Sequence, residues 1–257
     1  MNNIFTVAGL LLKETFRKKD FYVAFVFTGL VLLFAARASF YNVGNTYRYL
    51  LDIGLGLGVF FAALLTTSLS ARQYPSEIQN RTCHVLLSKP VSRAEFLLGK
   101  FLGSLAAGCA SFALFFAVII FSVLSKTHEI SLVSAAETFY LFCLSLMILT
   151  ALSVFFSIFM TTAGNVSIVL ALYFLISIYG FTIHSSALAA SSVRRWILEI
   201  LNFVIPHFGF FDARQRLIHG WPPISSKLMF FLTGYAFFYS ALFLLFGWIL
   251  FRRRNIL

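Results

Sequence analysis

The sequence predicts an all-α integral membrane protein with six transmembrane helices and both termini in the cytoplasm. Of its 257 residues, 60% are hydrophobic and only 11% are charged, far from the composition of an average soluble domain. Six apolar stretches carry charges only near their ends, and each is long enough as a helix to cross about 30 Å of hydrocarbon. Transmembrane β-strands alternate polar and apolar side chains, whereas these stretches are apolar on every face. We therefore expect one helical transmembrane domain over residues 1–257.

The predicted spans are separated by segments of distinct character. Residues 1–19 place apolar side chains near one helical face and charged ones elsewhere, which is typical of a helix lying in the membrane interface. A polar loop, here called the basic loop, covers residues 72–98. A segment rich in Trp and Pro covers residues 184–227, where short helices at the outer interface are expected. The predicted spans are residues 21–38, 51–71, 99–124, 137–160, 164–183 and 228–251.

Lys and Arg residues beside the spans predict the orientation. They cluster before the first span, in the basic loop and at the C-terminus, and an even number of spans places these three regions on one side, the cytoplasm. Segment 184–227 carries further cations on the external side, but it is long enough for the charge rule to lose force. Cations that set the orientation of the spans and contact anionic headgroups thus account for the net charge of +11. No nucleic-acid partner is expected.

The basic loop is predicted to fold as a short helix, a turn and a helix entry. Ser76-Glu-Ile-Gln79 directly after Pro75 matches a capping box, and Pro90 is expected to stop the helix that it starts. Ser92-Arg-Ala-Glu95 matches a second capping box, from which a helix is expected to continue into the third span. Apolar residues of the loop alternate with charged ones, which suits docking either on lipid headgroups or on another protein.

Two shorter patterns make local predictions. Ser134-Ala-Ala-Glu137 matches a capping box at the start of the fourth span. Gly54-x-x-x-Gly58, with Gly56 between, would let another helix approach the second span closely. Packing within the chain is preferred for these glycines, and a contact with a second subunit is the alternative.

The chain lacks the motifs of an enzyme. It has no G-x-x-x-x-G-K-[ST] phosphate loop, H-E-x-x-H or G-x-S-x-G sequence, and Gly99-Lys100 lacks the required neighbours. Cys83, Cys109 and Cys143 are scattered without the spacing of a metal site. Because the span interiors also lack the ionisable residues of ion-coupled transporters, energy must come from another subunit or transport is passive.

The residue order of the basic loop is specific. It contains Glu77-x-x-x-Arg81-Thr82, then Leu86-Leu87-Ser88-Lys89-Pro90-Val91-Ser92-Arg93, then Glu95-Phe96 and Leu98-Gly99-Lys100. This order, between the second and third spans, resembles the corresponding loop in permease subunits of type 2 ABC exporters. It is most similar to the branch with an E-x-x-x-R-T start, whereas many relatives have Gly where this chain has Arg81. Ile205-Pro206-His207-Phe208 and Phe211-Asp212 resemble a Pro-then-Phe-Asp pattern of the same family.

The resemblance implies a non-enzymatic subunit in the cytoplasmic (inner) membrane of a bacterium, with no catalytic residue, metal or cofactor of its own. Two permeases, identical or homologous, would form the substrate pathway with two cytoplasmic ABC ATPase subunits, which bind ATP and Mg²⁺. Membrane lipids are the remaining partner. The short loop helix would be the coupling helix that docks on the ATPase. The residues implied for this docking are Glu77, Ile78, Arg81, Thr82, Val85, Leu86, Leu87, Pro90 and Arg93.

A candidate outer gate is expected at the external ends of the spans. Arg37 and Asp52 end the first and begin the second span, where they either pair or extend separately to the interface. By resemblance, Pro206, Phe211 and Asp212 would contribute to the same gate. The alternative function is a passive or structural six-helix subunit of a membrane complex whose basic loop binds lipid headgroups. No pattern identifies the substrate or distinguishes a homodimer from a heterodimer.

Overall fold

The computed structural model describes residues 46–79, 93–124, 131–188 and 205–253, together with Gly9, Tyr22 and Val26. These residues form helices joined by turns and contain no β-strand, which confirms the prediction of an all-α protein for this part of the chain. The long helices and short turns are α1 (Thr46–Gln79), α2 (Arg93–Leu124), α3 (Leu132–Ser157), α4 (Thr162–Leu188), a 3₁₀ turn (Phe208–Phe211), α5 (Arg214–His219) and α6 (Ser226–Arg253).

Four of these helices, α1, α2, α3 and α6, are long and apolar enough to cross a membrane. The predicted span 164–183 falls within α4, whose apolar stretch Thr162–Ser177 is shorter. The predicted first span, 21–38, and the interfacial helix, 1–19, lie outside the described residues apart from isolated positions. The count of six spans and the cytoplasmic position of the termini therefore stay predictions.

The long helices form an up-and-down bundle around α3, which packs against α1, α2, α4 and α6. Phe96 at the start of α2 packs against Ile158, just after α3, and Phe251 near the end of α6. We call this the basic end of the bundle. At the opposite end, the start of α1 meets the end of α2, the start of α3 and α5. The buried residues of that contact are Leu51, Leu55, Ile119, Val123, Ala135, Leu217 and Ile218.

Small residues let α1 and α2 approach closely. A Cβ atom on Gly58 would lie 3.3 Å from the Ile119 side chain of α2, and one on Gly108 of α2 would overlap the Thr66 hydroxyl of α1. Gly58 therefore packs within the chain, as preferred from the sequence. In a bilayer such close approach is stabilising because dispersion contacts replace the hydrophobic effect between helices.

A buried polar contact joins three helices near the basic end. The Asn165 side-chain amide of α4 donates to the Ser153 carbonyl of α3 at 2.9 Å. The Ser153 hydroxyl donates to the Thr67 carbonyl of α1 at 3.3 Å. Because all three side chains are buried, these bonds satisfy groups that water does not reach and fix the relative position of α1, α3 and α4.

Two of the three predicted helix starts are wrong. α1 continues through Pro75 to Gln79, so Ser76-Glu-Ile-Gln79 is its last turn and does not start a separate helix. Proline has a helical φ and removes a single N–H donor, so a long helix can continue past it. α2 is described from Arg93 and runs without interruption to Leu124, as predicted, while its predicted N-cap, Ser92, lies outside the described residues.

The start of α3 is the second correction. The helix begins at Leu132, two residues before Ser134, and Ser131 is its N-cap. The Ser131 hydroxyl accepts the Ser134 N–H at 3.5 Å, while the Ser134 carbonyl already accepts the Thr138 hydroxyl within the helix. Serine is a favoured N-cap residue, so Ser131 and Ser134 were both candidates by residue type. Ser134 is buried within the first turn of the helix, which leaves Ser131 as the cap.

Candidate functional site

The two ends of the basic loop lie at the same end of the bundle. Glu77 and Ile78 belong to the last turn of α1, and Arg93 is the first residue of α2, the helix that packs most extensively on α1. The structure thus brings the flanks of the predicted docking segment together. The other predicted docking residues, Arg81, Thr82, Val85, Leu86, Leu87 and Pro90, lie outside the described residues, and their role stays a prediction.

Residues 205–225, here called the outer cap, cover the opposite end of the bundle. Two phenylalanines of the 3₁₀ turn anchor the cap, since Phe208 is 2% exposed and Phe211 is fully buried. The Phe208 ring meets Tyr173 of α4 edge to face at 4.9 Å between centroids. Phe211 lies 6.1 Å from the Tyr235 ring of α6. The Pro-then-Phe-Asp pattern noted in the sequence is therefore a packing motif that fastens the cap to two helices.

Tyr235 also holds the backbone of the cap where the 3₁₀ turn begins. The His207 N–H donates to the Tyr235 hydroxyl at 2.9 Å. His207 precedes the turn with an extended backbone, and its own side chain makes no capping bond. Pro206, which has no N–H of its own, is buried beside it. The α6 tyrosine thus satisfies a donor at the start of the turn that the local sequence leaves open.

An ion pair follows the 3₁₀ turn. The Arg214 Nη2 donates to Asp212 Oδ2 at 2.7 Å, and Nε donates to Oδ1 at 2.9 Å, which makes the pair bidentate. Asp212 Oδ1 also accepts the Arg214 N–H at 3.1 Å and thereby fixes the start of α5. Both side chains are 35% exposed, so water screens the attraction in part.

Arg214 links this ion pair to α1. Pairing with Asp212 raises the pKa of the Arg214 guanidinium above its usual value, and the Asp52 carboxylate of α1 adds to the effect. A Cβ atom on Gly56, one turn along α1, would lie 3.4 Å from Arg214 Nη1. The guanidinium therefore pairs with Asp212 and lies against the glycine-containing face of α1, near enough to Asp52 to be influenced by its charge.

The C-terminal part of the cap is tethered to α3. α5 ends at Gly220, whose φ of 63° requires a residue without a Cβ, and the Trp221 N–H donates to the Arg216 carbonyl at 3.0 Å. Further along, the Ile224 N–H donates to the Glu137 carboxylate of α3 at 3.1 Å. The sequence predicts that Glu137 caps the N-terminus of its own helix. In the structure its carboxylate instead accepts a hydrogen bond from the outer cap, 87 positions further along the chain.

The predicted gate residues are thus partly brought together. Pro206, Phe211 and Asp212 lie in the outer cap, and Asp52 faces it from α1. Arg37 lies outside the described residues, so its pairing with Asp52 stays a prediction. Arg214 was not predicted as a site residue, although an Asp-x-Arg spacing at a turn was a usable signal. The hydrogen bond from the cap backbone to Tyr235 was not predicted either, because no local sequence pattern indicates it.

Arg214→Gln is expected to loosen the cap. The substitution removes the bidentate bonds to Asp212 and leaves that carboxylate without its cation. Allowing for solvent screening, we expect backbone amide exchange over Phe208–His219 to quicken about fivefold. Hydrogen exchange followed by mass spectrometry measures this. Lys227→Gln removes an exposed cation from the first turn of α6 and is the control. Equal acceleration in both variants would show that the ion pair does not hold the cap.

The comparisons with known proteins add the family context. The model of a protein family described as ABC-2 family transporter protein matches residues 6–256 of this chain. No curated protein matches the chain.

Proposed function

The chain belongs to the ABC-2 transporter family, and within that family we propose that it is the permease subunit of an ATP-driven exporter. Members of this family are the transmembrane components of ABC transporters and not themselves the ATPase. The observation that carries the proposal is the packing of α1 against α2, the helices before and after the basic loop, within a membrane bundle. A polar segment between two such helices would be accessible to a partner outside the membrane.

The charges of the described residues support a cytoplasmic position for the basic end. Cations near the ends of membrane helices favour the cytoplasmic side. Those at the basic end outnumber the two acidic residues there, Glu77 and Glu95. The cap end carries Asp52, Glu137 and Asp212 together with the cations Arg48, Arg214, Arg216 and Lys227, so its net charge is +1, compared with +3 at the basic end. The cations at the basic end are Arg72, Arg93, Lys100, Arg252 and Arg253.

In the proposed mechanism, Val85, Leu86 and Leu87 provide the apolar surface that docks on the ATPase. Glu77, Arg81 and Arg93 pair with charges on the partner or fix the turn at the membrane. The partner ATPase binds ATP and Mg²⁺, and a second permease, identical or homologous, completes the substrate pathway. Such an assembly belongs to the inner membrane of a bacterium.

α1 is the element that would carry the movement of the ATPase to the outer gate. It spans 34 residues, or about 50 Å, from the outer cap to the basic loop. At one end it enters the docking segment, and at the other it presents Asp52 and Gly56 to Arg214. A displacement of α1 would change the distance from Asp52 to Arg214, and the cap would open when α1 moves away from the guanidinium.

Cysteine labelling tests the proposed orientation. In a background without Cys83, Cys109 and Cys143, Thr161→Cys places a thiol in the turn at the basic end, and Ser131→Cys places one at the cap end. Both native residues are exposed. A membrane-impermeant maleimide added to intact cells is expected to label Ser131→Cys. It should label Thr161→Cys only after the membrane is permeabilised.

Each thiol is the control for the other, because the two sites bracket the same helix, α3. If the maleimide labels Thr161→Cys from outside and leaves Ser131→Cys unlabelled, the basic loop lies on the external side of the membrane, away from cytoplasmic ATP. That result would contradict the proposal and leave the passive or structural subunit as the better explanation.

A further inference from the structure

An apolar groove runs along the outside of the bundle between α2 and α6. Its volume is about 460 Å³, and all of its lining side chains are apolar. The groove opens outward, since Leu245 is 58% exposed and α6 is the least buried of the four candidate spans. It lies near the basic end, where α2 begins and α6 ends. The lining residues are Ala94, Leu97, Leu98, Ala241, Leu244, Leu245 and Trp248.

Arg252 lies where the groove reaches the basic end of the bundle. The Arg252 guanidinium lies over the Trp248 ring, 5.9 Å from its centroid, and Trp248 lines the groove. Arg252 follows Trp248 by four residues and Leu245 by seven, so all three share one face of α6. The face that lines the groove therefore passes from aliphatic to aromatic to cationic side chains towards the basic end.

This order matches the order of groups in a phospholipid. Acyl chains are apolar and flexible, tryptophan favours the boundary between hydrocarbon and headgroups, and arginine binds phosphate through paired N–H donors. Arginine can do so while its planar face stays stacked on an aromatic ring. Lys100, whose ammonium lies 5.3 Å from the Phe96 ring centroid on α2, adds a second cation at the same end. These two cations outnumber Glu95 in the first turn of α2, so charge complementarity favours an anionic lipid over a zwitterionic one.

We propose that this groove binds one anionic phospholipid of the leaflet at the basic end, with an acyl chain along Leu97, Leu244 and Leu245 and its phosphate on Arg252. The site is on the outside of the bundle and is independent of the direction of transport. It would make the packing of α6 against α2 sensitive to the lipid composition of the membrane.

Brominated lipids test the site directly. Of the two tryptophans that the structure describes, Trp248 lines the groove and Trp221 does not, and Trp196→Phe with Trp221→Phe leaves the fluorescence of Trp248 as the reporter. The full chain is reconstituted in phosphatidylcholine vesicles containing dibrominated phosphatidylglycerol or dibrominated phosphatidylcholine. We expect the association constant at Trp248 to favour phosphatidylglycerol about fivefold, the preference that one arginine gives to an anionic headgroup.

Charge variants complete the test. Arg252→Gln should abolish the preference, Arg252→Lys should keep most of it, and Lys227→Gln at the other end of α6 should leave it unchanged. Equal quenching by both lipids would show an unselective lipid contact and overturn the proposal. Absence of quenching by either lipid would mean that a second copy or another segment of the chain fills the groove. A preference that survives Arg252→Gln would remove the assigned phosphate ligand.

Discussion

Replacing Gly108 with valine is expected to destabilise the folded protein by about 3 kcal/mol and to lower its thermal unfolding midpoint. Even a single Cβ atom at this position would overlap the Thr66 hydroxyl, with the Thr66 Cγ2 and Cβ only 3.0 and 3.1 Å away. Thr66 is fully buried, and its hydroxyl donates to the Ala62 carbonyl at 2.6 Å, so it has no free space to move into. Overpacking of this kind costs about 1–3 kcal/mol in a well-packed core. We expect the branched valine side chain to cost an amount at the upper end of this range.

The measurement is the thermal unfolding midpoint and the yield of monodisperse protein in mild detergent. Gly234→Val in α6 is the matched control, because nothing lies within 4 Å of a Cβ atom there. Adding Thr66→Ala to Gly108→Ala removes the two nearest atoms and should restore part of the stability. If Gly108→Val unfolds at the temperature of Gly234→Val, the close packing of α1 on α2 is wrong.

Leu86→Asp is expected to have the largest effect on function. An apolar residue at the centre of a docking segment is fully desolvated on binding, and a carboxylate placed there has no partner. We expect affinity for the ATPase to fall by at least about 2 kcal/mol, or roughly 30-fold. Because the substitution lies in the basic loop, outside the predicted spans, insertion of the chain should be unaffected. Quantitative mass spectrometry of the tagged, purified chain gives the amount of ATPase retained per permease.

Thr161→Asp is the control for this substitution. It adds the same charge at the same end of the bundle, at a residue whose hydroxyl accepts the Gly164 N–H at 3.3 Å at the start of α4. Aspartate caps a helix at least as well as threonine, so this variant should fold and retain the ATPase. Equal retention of the ATPase by Leu86→Asp and Thr161→Asp would remove Leu86 from the docking surface.

The helices could be predicted from the sequence because each is a long apolar stretch with a composition that only a membrane helix explains. The boundaries were less predictable, as Pro75 and Ser134 illustrate. Both residue types occur at helix starts and also inside the first or last turn, and only the packing of the neighbouring helices selects between the two. The uninterrupted helix from Arg93 into the third span was correctly predicted, because its residues from Phe96 onward form one continuous apolar stretch.

The candidate site was predictable where its residues are close in the sequence. Pro206, Phe211 and Asp212 form one short pattern, and the structure places them in one cap. The bonds that fasten the cap join residues far apart, since His207 binds Tyr235 across 28 positions and Ile224 binds Glu137 across 87. Such pairs depend on how the helices pack, which no local spacing encodes.

The central claim is that a separate ATPase drives this permease through the basic loop. Purification of the tagged wild-type chain in mild detergent, followed by an assay of vanadate-sensitive ATP hydrolysis, tests it most directly. We expect a second protein with a G-x-x-x-x-G-K-[ST] loop to co-purify and the complex to hydrolyse ATP. A monodisperse chain that carries no nucleotide-binding partner and no ATPase activity in any mild detergent would contradict the account.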